Sequence, residues 1–345
     1  MTTVAHGLEG VVVAETKLSH VDGERGELII AGARVDDLSD VVRFEDVAAR
    51  VWGQAVVDLG PARVAAFERL GSLGSALALE DGMDALRAAV GQLPSTLDAA
   101  HVTAAVGVFA AAWARKRAGL APVRPDPKLG HAEDVLRMIK GEAAAPLAAA
   151  LDAYLVAVVD HGMNASTFTA RVIASTRSDL VSAVTGAIGA LKGPLHGGAP
   201  GPVLDMLEAV GRPENAEAWL RTELEAGRRV MGMGHRVYRV RDPRAAVLER
   251  AVEKLETQGV SSSRLTLARA VERVATRVLA QKYPDRSLQA NVEFYTAVLL
   301  DVVGLPRTVF TPMFAVGRVA GWCAHVAEQA ATGRLIRPES KYVGP

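Results

Sequence analysis

Apolar residues recur at helical spacing through most of the chain. Phe44, Val47, Ala48, Val51 and Trp52 fall at i, i+3, i+4, i+7 and i+8, one face of a helix. Val271, Val274, Ala275, Val278 and Leu279 repeat the pattern. Asp242-Pro243 reads as N-cap and first helical residue, opening a helix with Leu248, Val252 and Leu255 along one side. A further helix is predicted over Ala216 to Ala226, with Gly227 in the C′ position. Val102 to Ala114 is almost continuously apolar, too short for a bilayer and better suited to a buried helix. Period-two signals are confined to the N-terminus. Val11-Val12-Val13 and Leu28-Ile29-Ile30 flank the turn-rich Asp22-Gly23-Glu24-Arg25-Gly26, predicting one small hairpin. About fifteen helices or more are expected beside it. The fold class is therefore all-α, and the Pro-rich Leu120 to Leu129 reads as a connection within it.

Composition narrows the functional classes. The 345 residues exceed what one domain usually holds. Lys+Arg and Asp+Glu balance at 39 each, so net charge gives no attraction to nucleic acid or an anionic membrane. Any anion site must come from local clusters of arginine. Cys323, the sole cysteine, excludes an intrachain disulfide and a cysteine-based metal site, and beside Trp322 it reads as a small buried hydrophobe. The N-terminus carries no secretory signal, so the expected location is the cytoplasm.

Three of the eight histidines sit among helix-breaking or polar neighbours. His196 lies in Gly193-Pro194-Leu195-His196-Gly197-Gly198, His235 in Met231-Gly232-Met233-Gly234-His235-Arg236, and His161 between Asp160 and Gly162. Such histidines are expected on turns with little side-chain cover, where backbone N–H groups can bind an anion. No histidine pair has the i, i+4 spacing of a helical zinc site, so no metal is expected. Asn291 is a candidate cap for a helix ended by Gly304, which puts Glu293 in the first turn. There the helix dipole favours an ionised carboxylate, as a resting general base requires. Arg236, Arg239, Arg241 and Arg244 follow His235 closely enough to cradle phosphates or carboxylates.

The ordered set is more specific than its members. HGMNASTFTARVIAST (161–176), ALKGPLHGGA (190–199), GMGHRVYRVRDPRA (232–245), NVEFYTAVLL (291–300), FTPMFAVGRVAGW (310–322) and the tail RLIRPESKYVGP (334–345) occur in that order. Together with GLEGVVVAETKLSHVDGERGEL (7–28), they resemble the citrate synthase family in its shorter bacterial form, over nearly the whole chain. The resemblance implies a two-domain helical fold: a large domain over 1–199 and 305–345, a small one over 200–304, and a cleft that closes on substrate. It implies a homodimer, in which Arg337 is donated to the partner's site. It also implies condensation of acetyl-CoA with oxaloacetate to citrate and CoA, with no permanently bound cofactor. By position, His161, His235, Arg244 and Arg318 resemble the oxaloacetate-binding set. His196 resembles the histidine that hydrogen-bonds the thioester oxygen, and Glu293 stands where the family has an aspartate base. Gly232, Met233, Gly234, Arg239 and Arg241 would seat CoA, with Arg239 the best phosphate contact.

Departures from the family pattern concentrate near the base. Glu293, Thr296 and Ala297 replace Asp, Ser and Gly, and the family's GGANE reads Gly197-Gly198-Ala199-Pro200-Gly201. HPM has become Asp81-Gly82-Met83, and an early YRG-like element Ile30-Ala31-Gly32. Glutamate matches aspartate in basicity but reaches roughly a bond length further. Two alternatives therefore stand beside citrate synthesis: 2-methylcitrate synthesis from propionyl-CoA, and a paralogue that binds oxaloacetate or CoA without turnover.

Overall fold

The computed structural model describes residues 5–8, 10–39, 41–197, 200–260 and 263–344. Among these are fifteen α-helices and one three-stranded sheet. Gly198 and Ala199 of the GGANE-like element lie outside the described residues. The helical core is built around Ala99–Arg117, whose residues from Val102 to Ala114 are all buried. Its alanines let neighbours approach closely, and the helices Gly60–Glu68, Gly82–Val90, His131–Lys140 and Phe310–Thr332 pack against it. The periodic segments form the helices Phe44–Trp52 and Ser263–Lys282. Asp242 caps Pro243–Thr257 by accepting from Arg244 N, a contact that stabilises a helix start by about 1 kcal/mol. Ala216–Glu225 ends before Gly227, whose φ of 74° a side chain would resist. No single helix among the described residues is long and apolar enough to cross a membrane.

The hairpin differs from the expectation. Its first strand is β1 (Ser19–Asp22), not Val11–Val13, and Val12 is 87% exposed. β1 pairs antiparallel with β2 (Glu27–Ile30), Ser19 opposite Ile30 and Asp22 opposite Glu27. The turn dictates this register. Asp22 Oδ1 accepts from Glu24 N and Arg25 N, closing the chain tightly, so only the residues just before it can face Glu27 to Ile30. β3 (Ala33–Arg34) follows a two-residue turn with positive φ at both Ala31 and Gly32. The hairpin has a mechanical role. Gly23 O accepts from Arg239 N, and a β-carbon on Gly23 would overlap the Val237 carbonyl. Ser19 Oγ accepts from Gly162 N. The small sheet thus braces two loops, one carrying His161 and the other His235.

Candidate active site

Four helices and three loops converge on one polar cluster inside the apolar body. Ala145–Val158 packs against Pro243–Thr257, Val292–Val302 and Phe310–Thr332, and its C-terminal end leads into His161. These elements bring Arg244, Glu293 and Arg318 into mutual electrostatic range.

His161 is buried, contrary to the exposed turn expected for it. Its Nε2 lies 3.1 Å from Tyr238 Oη, and its ring meets His235 edge-on with centroids 5.4 Å apart. Asp160 beside it takes the Nε2–H of His325, whose Nδ1 accepts from Arg171 at 2.8 Å, so this loop is anchored from beneath. His235 has a defined tautomer. Its Nδ1 accepts from the backbone N–H groups of Val237 and Tyr238 at 3.0 and 3.1 Å. The proton of the neutral ring is therefore on Nε2, as a donor. The loop geometry needs glycine: Gly232 and Gly234 have φ of 73° and 87°, and a β-carbon on Gly232 would press on Phe294.

His196 occupies a turn, as expected, with Nε2 2.8 Å from Ser166 Oγ. Trp322 Nε1 also donates to that oxygen. The single hydroxyl proton of Ser166 can go to Asn164 Oδ1 or to His196 Nε2, and the second choice leaves Nδ1–H on the imidazole. Ser166, Trp322 and Tyr238 set these rings in place, yet none was singled out from sequence.

Burial holds both catalytic-type histidines neutral. Burial, then Arg318 and Arg244, depresses His196 to about 4; burial, then Arg244, does the same to His235. His161 is lowered well below the usual range, by burial first and Arg244 next. His131, remote from the site and stacked on Phe44, is lowered likewise by burial and Arg63, and neither ring nitrogen has a hydrogen-bond partner. A base with a depressed folded value binds fewer protons than the unfolded chain does below about pH 6.5. Stability should then fall as pH drops from 6.5 towards 4, by up to about 1.4 kcal/mol per unit for each of the two fully buried rings. Asp152 and Glu293, both raised chiefly by burial, act in the opposite sense, but His196 and His235 add to the fall, so four lowered rings stand against two raised carboxyls. Urea midpoints between pH 7 and 5 should decline, and less steeply for His131→Gln; a flat wild-type profile would contradict the buried neutral rings.

Glu293 lies in the first turn of Val292–Val302, with Asn291 at the N-cap position. Two expectations fail here. The Asn291 side chain does not cap the helix but donates to Gly234 O at 2.9 Å, fixing the His235 loop. Nor does the dipole prevail: the Glu293 side chain is half-buried, and desolvation raises its pKa despite Arg244. A raised carboxylate is the stronger base once ionised.

The arginines divide by what already holds them. Arg244 grips Asp242 with Nε and Nη2, at 3.0 and 2.7 Å, inside the core. Arg318 is 1% exposed; Nε donates to Val158 O, while Nη2 is buried with no partner. Arg241 is bound to Glu272 and Glu249 and lies over the Tyr295 ring, so its charge is consumed inside the protein and is not open to a phosphate. Met233 is buried as well, whereas Arg239 is exposed. Arg337 lies on the exposed tail after Phe310–Thr332, and the single chain does not bring it to the cluster. Cys323 is buried near Thr103, with its thiol pushed up to about 12 by burial.

The family model for the citrate synthase C-terminal domain matches residues 7–339. A putative citrate synthase 2 of Mycobacterium tuberculosis is 40% identical over 98% of this chain and 92% of its own. The 2-methylcitrate synthase of the same organism is 38% identical over 99% and 91%. The Thermotoga maritima citrate synthase structure superposes with a TM-score of 0.87 at 34% identity, covering 99% of this chain and 96% of its own. Thermoplasma acidophilum citrate synthase, solved as a ternary complex with carboxymethyl coenzyme A and oxaloacetate, gives 0.90 at 26% identity over 100% and 97%. The chain belongs to the citrate synthase family, acyltransferases of the citrate and 2-methylcitrate synthase type.

Proposed function

We propose that this site condenses acetyl-CoA with oxaloacetate, with Glu293 as the base. The observation that carries the reading is Arg318 Nη2, buried without an acceptor and in electrostatic range of His161, His196, Arg244 and Glu293. A buried donor without an acceptor is costly, and a dicarboxylate supplies the missing acceptor. The Thermoplasma relative, crystallised with oxaloacetate and a CoA analogue, supports the same pair of ligands here.

The geometry suits an enolisation followed by a carbon–carbon bond. Glu293 takes a proton from the methyl carbon of the thioester. His196, its Nε2 accepting from Ser166, donates Nδ1–H to the thioester oxygen as negative charge gathers there. The enol carbon then attacks the ketone of oxaloacetate, and His235 Nε2–H donates to the developing alkoxide. Water cleaves the citryl thioester to release CoA. Neutral imidazoles serve because each offers a hydrogen bond without first carrying charge into an apolar pocket. The groups come equally from both proposed lobes: His161, His196 and Arg318 from 1–199 and 305–345, His235, Arg244 and Glu293 from 200–304. Gly304, at φ 80°, and Lys140, donating to Val303 O, mark the crossover where the lobes would hinge. Arg239 and the backbone of Gly232 to Gly234 would meet CoA, and Arg337 would enter the partner's site in a homodimer.

Release of thiol from acetyl-CoA or propionyl-CoA in the presence of oxaloacetate tests this directly. Turnover with a higher kcat/KM for acetyl-CoA is expected. Preference for propionyl-CoA would make the enzyme a methylcitrate synthase. Oxaloacetate binding without thiol release would show a site that has lost its chemistry.

A further inference from the structure

Helix Phe310–Thr332 carries Arg318, Gly321 and His325 at i, i+3 and i+7, on one face. That face meets three consecutive residues of the chain leading into His161. Arg318 Nε donates to Val158 O. Gly321 lets the helix pass close to the next residue, since a β-carbon there would overlap the Val159 carbonyl. His325 Nε2 then reaches both oxygens of Asp160, at 3.1 and 3.3 Å. Trp322 of the same helix holds His196 through Ser166. His325 lies in an apolar stretch, without the flanking glycines that mark His196 and His235, and the reaction described above does not use it.

The direction of the His325–Asp160 bond is set by a further side chain. Arg171, on Ala165–Ser175, donates from Nε to Gln329 Oε1 and from Nη1 to Glu328 Oε2, at 3.1 and 2.7 Å. The same Nη1 lies 2.8 Å from His325 Nδ1. A guanidinium has no lone pair to offer, so Nδ1 accepts and the ring proton is on Nε2, facing Asp160. The other tautomer would set a lone pair against the carboxylate. Arg171, His325 and Asp160 are all buried, so water does not stand in for either bond. The Ser19 hydroxyl, which accepts from Gly162 N, also bears on the Asp160 carboxylate, as does the charge of Arg318.

We propose that His325 is a positioning residue: its Nε2–H, aimed by Arg171, holds the Asp160 side chain and so sets how the adjacent His161 meets oxaloacetate. This deepens the reading of His161 as an oxaloacetate contact and rests on it. One helix face then places three groups of the site, Arg318 directly, His196 through Ser166 and His161 through Asp160.

Two amides divide the functions of the ring. In His325→Gln the amide nitrogen reaches the place of Nε2 and still donates to Asp160. In His325→Asn the amide is one methylene shorter, so it still meets Arg171 but falls short of Asp160. The kcat/KM for oxaloacetate should fall about tenfold in His325→Asn and recover to within about threefold of wild type in His325→Gln; a full 1 Å misplacement would cost about a hundredfold, but Ser19 still holds Gly162. The acetyl-CoA KM should stay within about twofold in both. Asp160→Asn accepts the same bond without the charge, and a greater loss there than in His325→Asn would overturn the proposal by making charge the role of Asp160. 15N NMR of the histidine rings, with His161 identified by its absence in His161→Gln, reads the placement without turnover. Its signals should move in His325→Asn and return in His325→Gln. Moved and restored signals with the same oxaloacetate binding in all three proteins would keep the bond and sink His161 as a substrate contact. Unmoved His161 signals, or equal losses in the two amide variants, would overturn the proposal and leave His325 as packing around Arg171.

Discussion

Glu293→Gln should lower kcat about a thousandfold while leaving the oxaloacetate affinity nearly intact. The amide keeps the length and shape of the side chain but cannot take a proton, and a positioned general base contributes about 10²–10⁴ in rate. The fold should not suffer. Glu293 is a carboxylate whose pKa is raised by burial, so its ionised form opposes folding at neutral pH, and the neutral amide removes that cost. A thermal midpoint at pH 8 equal to or above wild type, with kcat near zero, is the expected signature of a residue kept for chemistry. A lowered midpoint with kcat reduced in proportion to unfolded protein would mean that Glu293 is structural. Glu293→Asp completes the test. The helix start is fixed by Asn291 N donating to Gly232 O and by the Asn291 side chain on Gly234 O, so the backbone cannot advance to compensate. Withdrawal of the base by about 1 Å costs on the order of a hundredfold. Aspartate equal to or better than glutamate would show instead that the backbone still fits the shorter acid.

The acid limb of the activity profile follows from the same burial. Ionisation of Glu293 is needed for turnover and is displaced upward, so kcat should still be rising over a window above the usual carboxylate range. His196 and His235, held to about 4, are neutral throughout that window and do not shape it.

Much of this architecture is written locally. The helix Pro243–Thr257 is announced by its cap and proline, and Phe44–Trp52 by an apolar stripe that tertiary packing has no reason to override. The site histidines 196 and 235 are legible because glycines beside them break any helix. Their tautomers and low pKa values are not, since Ser166, Trp322, Arg244 and Arg318 reach them from other parts of the chain. β1 was passed over because Ser19-His20-Val21-Asp22 has one apolar residue, while the valines before it look far more strand-like. The turn, not β propensity, chose the partner. Glu293 shows the deeper limit. Its place at a helix start is a local fact, and on an exposed helix the dipole would favour the ionised carboxylate. The helices Ala145–Val158 and Pro243–Thr257 pack against that helix, and desolvation outweighs the dipole.

Arg318→Met should weaken oxaloacetate binding by about 30- to 4000-fold, since breaking a buried, hydrogen-bonded charge pair costs about 2–5 kcal/mol. The guanidinium is placed at a loss to the empty protein. Burial brings its pKa down to about 10, it lies near the like charge of Arg244, and Nη2 is left open. Methionine has a similar reach, no charge and no unmet donor, so the resting protein should be at least as stable with it. Calorimetric titration with oxaloacetate, beside thermal unfolding, separates the possibilities: weak binding with an unchanged or higher midpoint identifies a ligand-holding charge. Normal binding with a lower midpoint would make Arg318 a strut for the Val158 carbonyl, and the dicarboxylate site would have to be sought elsewhere. Arg318→Lys should recover little, because an ammonium cannot supply Nε–H to Val158 and an open planar edge to a carboxylate at once.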